Sequence, residues 1–314
     1  MKGQPMEQFP SLETKTFTAE IADNRALAVH RAGYNGVASL VPRATGENLF
    51  VPAFAGLNYE TIRLEGLPPY PDKFEPRKEP MHVQDADDER VVLVQSETSH
   101  ARVGARITFR VEEPGYLHQR IEITCHRRFC PAGVPNRFES LFASYLQTPR
   151  DRHVYLPGKK VPGTFFGVTR PSHESHDWKV RPLPEEDLDA AGHLKAIEAA
   201  EALPGLDTSD QRDPRWSGSV LPEILDGPLA FYYGLSGELM LLMMFREPER
   251  FRLAYSPCGG GTEPAWNPAW DYLLVLDDAE IDTTYEWNLC AAVKPFAGCA
   301  DVLDEVRRYA EAAD

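Results

Sequence analysis

The chain has 314 residues, is 42% hydrophobic and carries a formal net charge of −15. This length and apolar share suit one large domain or two ordinary ones. The acidic surplus excludes the basic face that nucleic-acid binding needs and gives no support to adhesion on anionic membranes.

The opening, MKGQPMEQFPSLETKTF, is polar and lacks the apolar core of a signal peptide, and no stretch approaches 18 apolar residues. Five cysteines stand at 125, 130, 258, 290 and 299, with no CxxC spacing. That pattern predicts reduced, mostly buried thiols and a cytoplasmic protein.

Period-2 or β-rich runs then follow one another: TKTFTAEIA, ALAVHRA, GVASLVP, RVVLVQSE, ARITFRVEE, LHQRIEITCHRRF, RHVYLPG, LMLLMMF, FRLAYSP and DYLLVLDD. Each is bounded by Gly, Pro, Asp or Asn, as strands are, and their spacing predicts sheets packed face to face. Two helices interrupt the pattern. One covers PEEDLDAAGHLKAIEAAEALPG, with an acidic first turn after Pro184 and a stop at Pro204-Gly205. The other covers ADVLDEVRRYAEAAD, where Val302, Leu303, Val306, Tyr309 and Ala310 share one face that docks on the sheets. Between them, residues 204–228 read as a long loop. No composition break marks a boundary, so the expectation is a single domain over 1–314.

Four constellations carry chemistry. In NYETIRLEG and KFEPRKEPM, Glu60, Arg63, Glu75 and Arg77 follow the first hairpin, as a binding group or as structural ion pairs. In ITCHRRFCPAGVPNRF, His126, Arg127, Arg128 and Arg137 crowd a strand end. There they suit a carboxylate or phosphate, or pair with the surplus acids. In PSHESHDW, His173 and His176 stand three apart, either as solvated loop residues or as imidazole acid/base groups. The spacing is not a metal motif, and no metal is assigned. Finally, CGGGTEPAWNPAWDY brings Trp266, Asn267, Trp270 and Asp271 into one turn-rich segment. Trp rings stack on sugar C–H faces while Asn and Asp hold hydroxyls; the bland alternative is a hydrophobic corner.

Three stretches resemble the galactose mutarotase-like (aldose 1-epimerase-like) superfamily over roughly Leu27 to Phe296. HRAGYNGVASLVPRATGENLFVP is similar to its first hairpin. QRIEITCHRRF followed by RFESLFASYLQTPRDRHVYLPG is similar to its central strand pair, and PAWNPAW to a late Trp-Asn-Pro turn. The resemblance implies an all-β supersandwich, with one inserted helix and a C-terminal helix, that binds a small carbohydrate; the arginine cluster would suit a sugar acid or sugar phosphate. It implies proton transfer at or next to the anomeric carbon, without a cofactor, and a substrate-binding arginine, for which Arg77 is the candidate. The chain departs from the family at its acid/base pair: the histidine position falls on Phe142 or Ala143, and the glutamate position on Ala292 or Val293. The candidate catalytic residues are therefore His126 and His176, with Arg77, Arg137, His173, Trp266, Asn267, Trp270 and Asp271 in binding. The alternatives are a non-catalytic carbohydrate-recognition protein, or an oligosaccharide lyase or hydrolase on the same fold.

Overall fold

The computed structural model describes residues 9–24, 34–64 apart from 53, 73–128, 130–147, 149, 151–157, 165–169, 179–183, 219–220, 230–256 and 267–312. The helix expected over 184–205, most of the loop expected over 204–228, and the strand expected over 26–32 lie outside them.

Strict alternation sets the architecture. Along β7 (Val103–Glu112), Val103, Ala105, Ile107 and Phe109 are buried, while Gly104, Arg106, Thr108 and Arg110 face the other way. Along β15 (Leu239–Phe245) every residue is apolar and buried, which is the signature of a strand covered on both faces. These two strands belong to one ten-stranded antiparallel sheet. Its order is β12 (Lys179–Leu183), β11 (Phe165–Thr169), β10 (Val154–Pro157), β14 (Phe231–Ser236), β15, β18 (Thr283–Pro295), β8 (Tyr116–Cys125), β7, β6 (Arg90–Gln95) and β5 (Met81–Ala86).

A five-stranded sheet faces it, ordered β13 (Ser219–Val220), β16 (Phe251–Ser256), β17 (Ala269–Leu276), β9 (Phe138–Ala143) and β4 (Asn58–Leu64). A third sheet joins β1 (Ser11–Glu13), β2 (Phe17–Ala22) and β3 (Gly36–Pro42). All three contribute to one core, which holds Leu12, Phe17, Tyr59, Phe142, Trp270, Tyr272, Trp287 and Ile107 among others. This is the all-β sandwich expected from the strand spacing.

Two smaller apolar clusters cover the outer faces. On the ten-stranded sheet, Tyr155, Phe165, Tyr233, Met240, Met244, Cys290 and Ala292 lie beneath the C-terminal helix α2 (Cys299–Glu311). Val302 is buried there, with Leu303, Val306 and Tyr309 packed against the cluster. Ala310, expected on the same face, is exposed. The unexpected buried position is Glu305, whose carboxylate takes Lys294 Nζ at 2.7 Å and the Tyr116 hydroxyl at 2.8 Å. On the outer face of the five-stranded sheet, Tyr34, Val51, Phe54, Leu141, Ala143, Tyr145, Leu273 and Val275 form the third cluster. A one-turn helix, α1 (Glu75–Lys78), packs against β4 and is not signalled by its sequence. Cys125, Cys130, Cys290 and Cys299 are free thiols, the first three buried; burial pushes the Cys125 thiol up to about 12. Among the described residues no helix is long and apolar enough to cross a membrane.

Candidate functional site

The outer face of the five-stranded sheet carries polar groups that a structural face has no need to bury. β17 turns Trp270, Tyr272 and Leu274 into the core, so Asp271, Leu273 and Val275 point outward. β9 alternates likewise, and its continuation carries Tyr145, which bridges to Ala269. On β4 the pairing slips between Tyr59 and Thr61, a bulge that leaves Glu60 without a cross-strand partner and turns it out of the ladder.

Glu60 is the centre of the group. Its Oε1 pairs with Arg77 Nη1 at 3.0 Å, and both side chains are buried. Tyr145 donates its hydroxyl to the same carboxylate. The guanidinium of Arg77 lies 3.4 Å above the ring of Tyr34, which meets Phe54 and Tyr145 at 5.1 and 5.7 Å between ring centroids. An aromatic box thus holds a desolvated ion pair, a setting in which cation–π attraction keeps most of its strength. Burial, with Glu60 close by, holds the Tyr145 phenol well above its ordinary range, so it stays a donor.

Asp271 stands beside this pair as the second carboxyl. It is 5% exposed, and burial followed by the Glu60 charge pushes its pKa well above the ordinary 3.8. The Ser144 amide donates to Asp271 Oδ1 at 3.0 Å. One carboxylate is therefore ion-paired while burial and that charge favour the protonated form of its neighbour, the separation of roles that acid/base sites use. Asn58, also on this face opposite Ala143, adds a donor. Its Oδ1 accepts the Asn35 amide at 3.3 Å, which fixes the orientation of the amide group. Its buried Nδ2 has no partner among the described residues. A buried N–H without an acceptor costs free energy unless a ligand or water supplies one.

The candidates from the sequence separate on this frame. Asp271 lies at the centre of the group, and Asn267 is buried just before β17. Arg77 is there too, but as the partner of Glu60 instead of a free cation for an anionic substrate. Trp270 corrects an expectation: it is wholly buried in the sandwich core, its ring occupying the space where a side chain at Gly234 would stand. With no open face it stacks on no sugar. His126 is at the far end of β8 on the other sheet, with Nδ1 2.8 Å from the exposed Asp282. The arginine cluster around it does not converge. Arg127 donates to the His100 carbonyl at 3.2 Å, Arg128 to carbonyls of its own loop, and Arg137 pairs with Glu139 at 2.9 Å. His173, His176 and Trp266 lie outside the described residues.

Phe142 and Ala143 are buried on β9, Phe142 stacked between Tyr59 and Tyr272. Ala292 and Val293 are buried on β18. None of the four carries a proton. Asn58 and the partnership of Glu60 with Tyr145 were missed from sequence; a β-bulge leaves no mark in NYETIR, and Tyr145 stands 85 residues from the carboxylate it meets. Among the described residues no group of three or more His, Cys, Asp and Glu is placed to hold a metal ion.

No protein-family model and no curated protein matches the chain. The solved structures that align with it include aldose epimerase homologues. A putative aldose 1-epimerase from Escherichia coli K12 aligns at 8% identity and TM-score 0.48, over 92% of this chain and 99% of that one. A GalM/aldose epimerase homologue from C. elegans aligns at 11% identity and TM-score 0.49, over 91% and 98%. Heparan sulfate lyase HepC from Pedobacter heparinus aligns at 9% identity and TM-score 0.43, over 94% of this chain and 38% of that one.

Proposed function

We propose that the chain is a sugar-active protein whose site is the outer face of the five-stranded sheet, with Glu60 as proton acceptor and Asp271 as proton donor. The observation that carries this reading is the pair of buried carboxyls on one face, one ion-paired to Arg77 and the other with its pKa pushed well above the ordinary carboxylate value by burial and the Glu60 charge. On a cyclic sugar, Glu60 takes the proton of the anomeric hydroxyl as the C1–O1 bond becomes a carbonyl. The C1–O5 bond breaks, and its electron pair stays on the ring oxygen, which receives the Asp271 proton. Rotation about C1–C2 and the reverse steps close the ring on the opposite face. One proton is taken as another is given, so the buried site never gains net charge, which suits a medium where an uncompensated charge is costly. The Asn58 Nδ2 donor supplies a hydrogen bond to a ring or hydroxyl oxygen, and Arg77 and Tyr145 orient Glu60.

A second reading, non-catalytic recognition of a carbohydrate, is favoured by one observation. The positions at which the family resemblance implies an acid and a base hold Phe142 or Ala143 and Ala292 or Val293. The two readings separate in magnetisation-exchange measurements between the α and β anomers of a panel of free pyranoses. The enzymatic reading expects faster exchange for at least one sugar, lost by about 100-fold or more in Glu60→Gln. Binding with no acceleration in the wild-type protein supports recognition alone, and neither binding nor acceleration defeats both.

A further inference from the structure

On the opposite side of the sandwich, just before β10, Asp151 and His153 form a buried dyad. The side chains are 3% and 8% exposed, and His153 Nδ1 lies 2.8 Å from Asp151 Oδ1. The same oxygen accepts the backbone N–H of His153 at 2.9 Å, and the Tyr155 hydroxyl donates to Oδ2. A carboxylate with this set of donors is an acceptor at Nδ1, so in the neutral ring the hydrogen sits at Nδ1 and the lone pair at Nε2. These hydrogen bonds hold the Asp151 carboxyl below its usual range even against the burial that raises it. His153 Nε2 is buried and has no hydrogen-bond partner among the described residues. Around it stand aromatic rings: Tyr155 at 6.2 Å between centroids, stacked in turn on Tyr233 at 5.0 Å. Gly167 closes the near side, since a Cβ there would lie 2.9 Å from Tyr155 Cε1 and 3.4 Å from His153 Cδ2.

We propose that His153 Nε2 is the acceptor of a second ligand site, on the outer face of the ten-stranded sheet, that takes one hydroxyl of a small neutral alcohol or polyol. The class follows from the donor count. Asp151 already accepts three hydrogen bonds, so Nε2 is the acceptor of the dyad that has none among the described residues. An ammonium would bury N–H groups that this acceptor cannot satisfy, and an anion would face both the lone pair and the Asp151 charge. A hydroxyl brings the one hydrogen that Nε2 needs, and an apolar carbon frame suits the tyrosine faces. The site stands apart from Glu60 and Asp271, which belong to the other sheet and the other outer face.

The test is a two-bond proton–nitrogen correlation spectrum of the uniformly ¹⁵N-labelled full chain, with His153 assigned by its loss in His153→Gln. The free protein should show protonated Nδ1 and bare Nε2. Titration with glycerol, myo-inositol, D-glucose and cyclohexanol should shift the Nε2 signal saturably for at least one of them. Asp151→Asn should weaken that midpoint by about tenfold, through loss of the charge-assisted anchor. The shift should persist in Asp271→Asn, which separates this site from the one proposed above. Three results overturn it: a proton on Nε2 in the free protein, an Nε2 signal that no member of the panel moves because only water sits there, or a response that vanishes in Asp271→Asn. The wild-type titration decides the matter even if Asp151→Asn does not fold.

Discussion

Tyr145 donates its hydroxyl to both oxygens of Glu60, at 2.9 Å each, and so ties the end of β9 to the bulge of β4. The contact is buried, and the phenol cannot turn to water for a replacement partner. Tyr145→Phe should therefore lower stability by about 1.5–3 kcal/mol, the range for a hydrogen bond to a charged acceptor, read as a reduced urea midpoint at unchanged slope. A loss within experimental error would show that the carboxylate finds another donor.

Arg77 and Glu60 form an ion pair with almost no solvent contact. Removing one partner leaves the other as an uncompensated buried charge. Arg77→Met should cost about 3–5 kcal/mol, whereas the double change Arg77→Met with Glu60→Gln should recover a large part of that loss. Chemical denaturation of the three variants measures the coupling, and additive losses would contradict it.

Asp271 gives a pH dependence of definite sign. Its folded-state pKa lies above its unfolded value of 3.8, so between the two the native state holds more protons than the unfolded state. Stability then falls as pH rises through that window, by up to about 1.4 kcal/mol per pH unit from this one group. Below the unfolded value the penalty is absent. Asp271→Asn keeps an oxygen for the Ser144 amide and removes the titration. Its stability relative to wild type should increase from pH 4 to pH 8, measured by urea unfolding at several pH values. A constant difference would mean that Asp271 ionises normally in the fold.

Trp270 is packed so closely over β14 that a methyl group at Gly234 would stand 2.2 Å from a ring carbon. Both are core positions, and the ring cannot yield without moving its neighbours. Gly234→Ala should destabilise by about 1–3 kcal/mol, as overpacked cores do. Trp270→Phe should lower stability while leaving any sugar affinity within about twofold of wild type, because a fully buried ring makes no ligand contact. A large loss of affinity at unchanged stability would return Trp270 to the site.

Much of the fold was legible because period-2 alternation and apolar runs report burial directly. GVASLVP, RVVLVQ, ARITFRVE, LMLLMMF and DYLLVL all lie on strands, and ADVLDEVRRYAE is a docked helix. The burial of Glu305 was not legible, since a buried carboxylate is revealed only by the Lys294 and Tyr116 groups that meet it from other strands. The site was less legible. Asp271 was found because it stands next to a conspicuous aromatic segment, but the same alternation that points Asp271 outward buries Trp270. Glu60 and Arg77 were visible as charges, and their pairing was one of the readings on offer. Their burial depends on Tyr34, Phe54 and Tyr145, which arrive from distant parts of the chain.

The most direct measurement is the infrared carboxyl region at neutral pH, comparing wild type with Asp271→Asn in deuterated buffer. A protonated-carboxyl stretch present in the wild type and missing from the variant is the predicted result. Absence of any protonated carboxyl at neutral pH would contradict the paired acid and base at the centre of the proposed site.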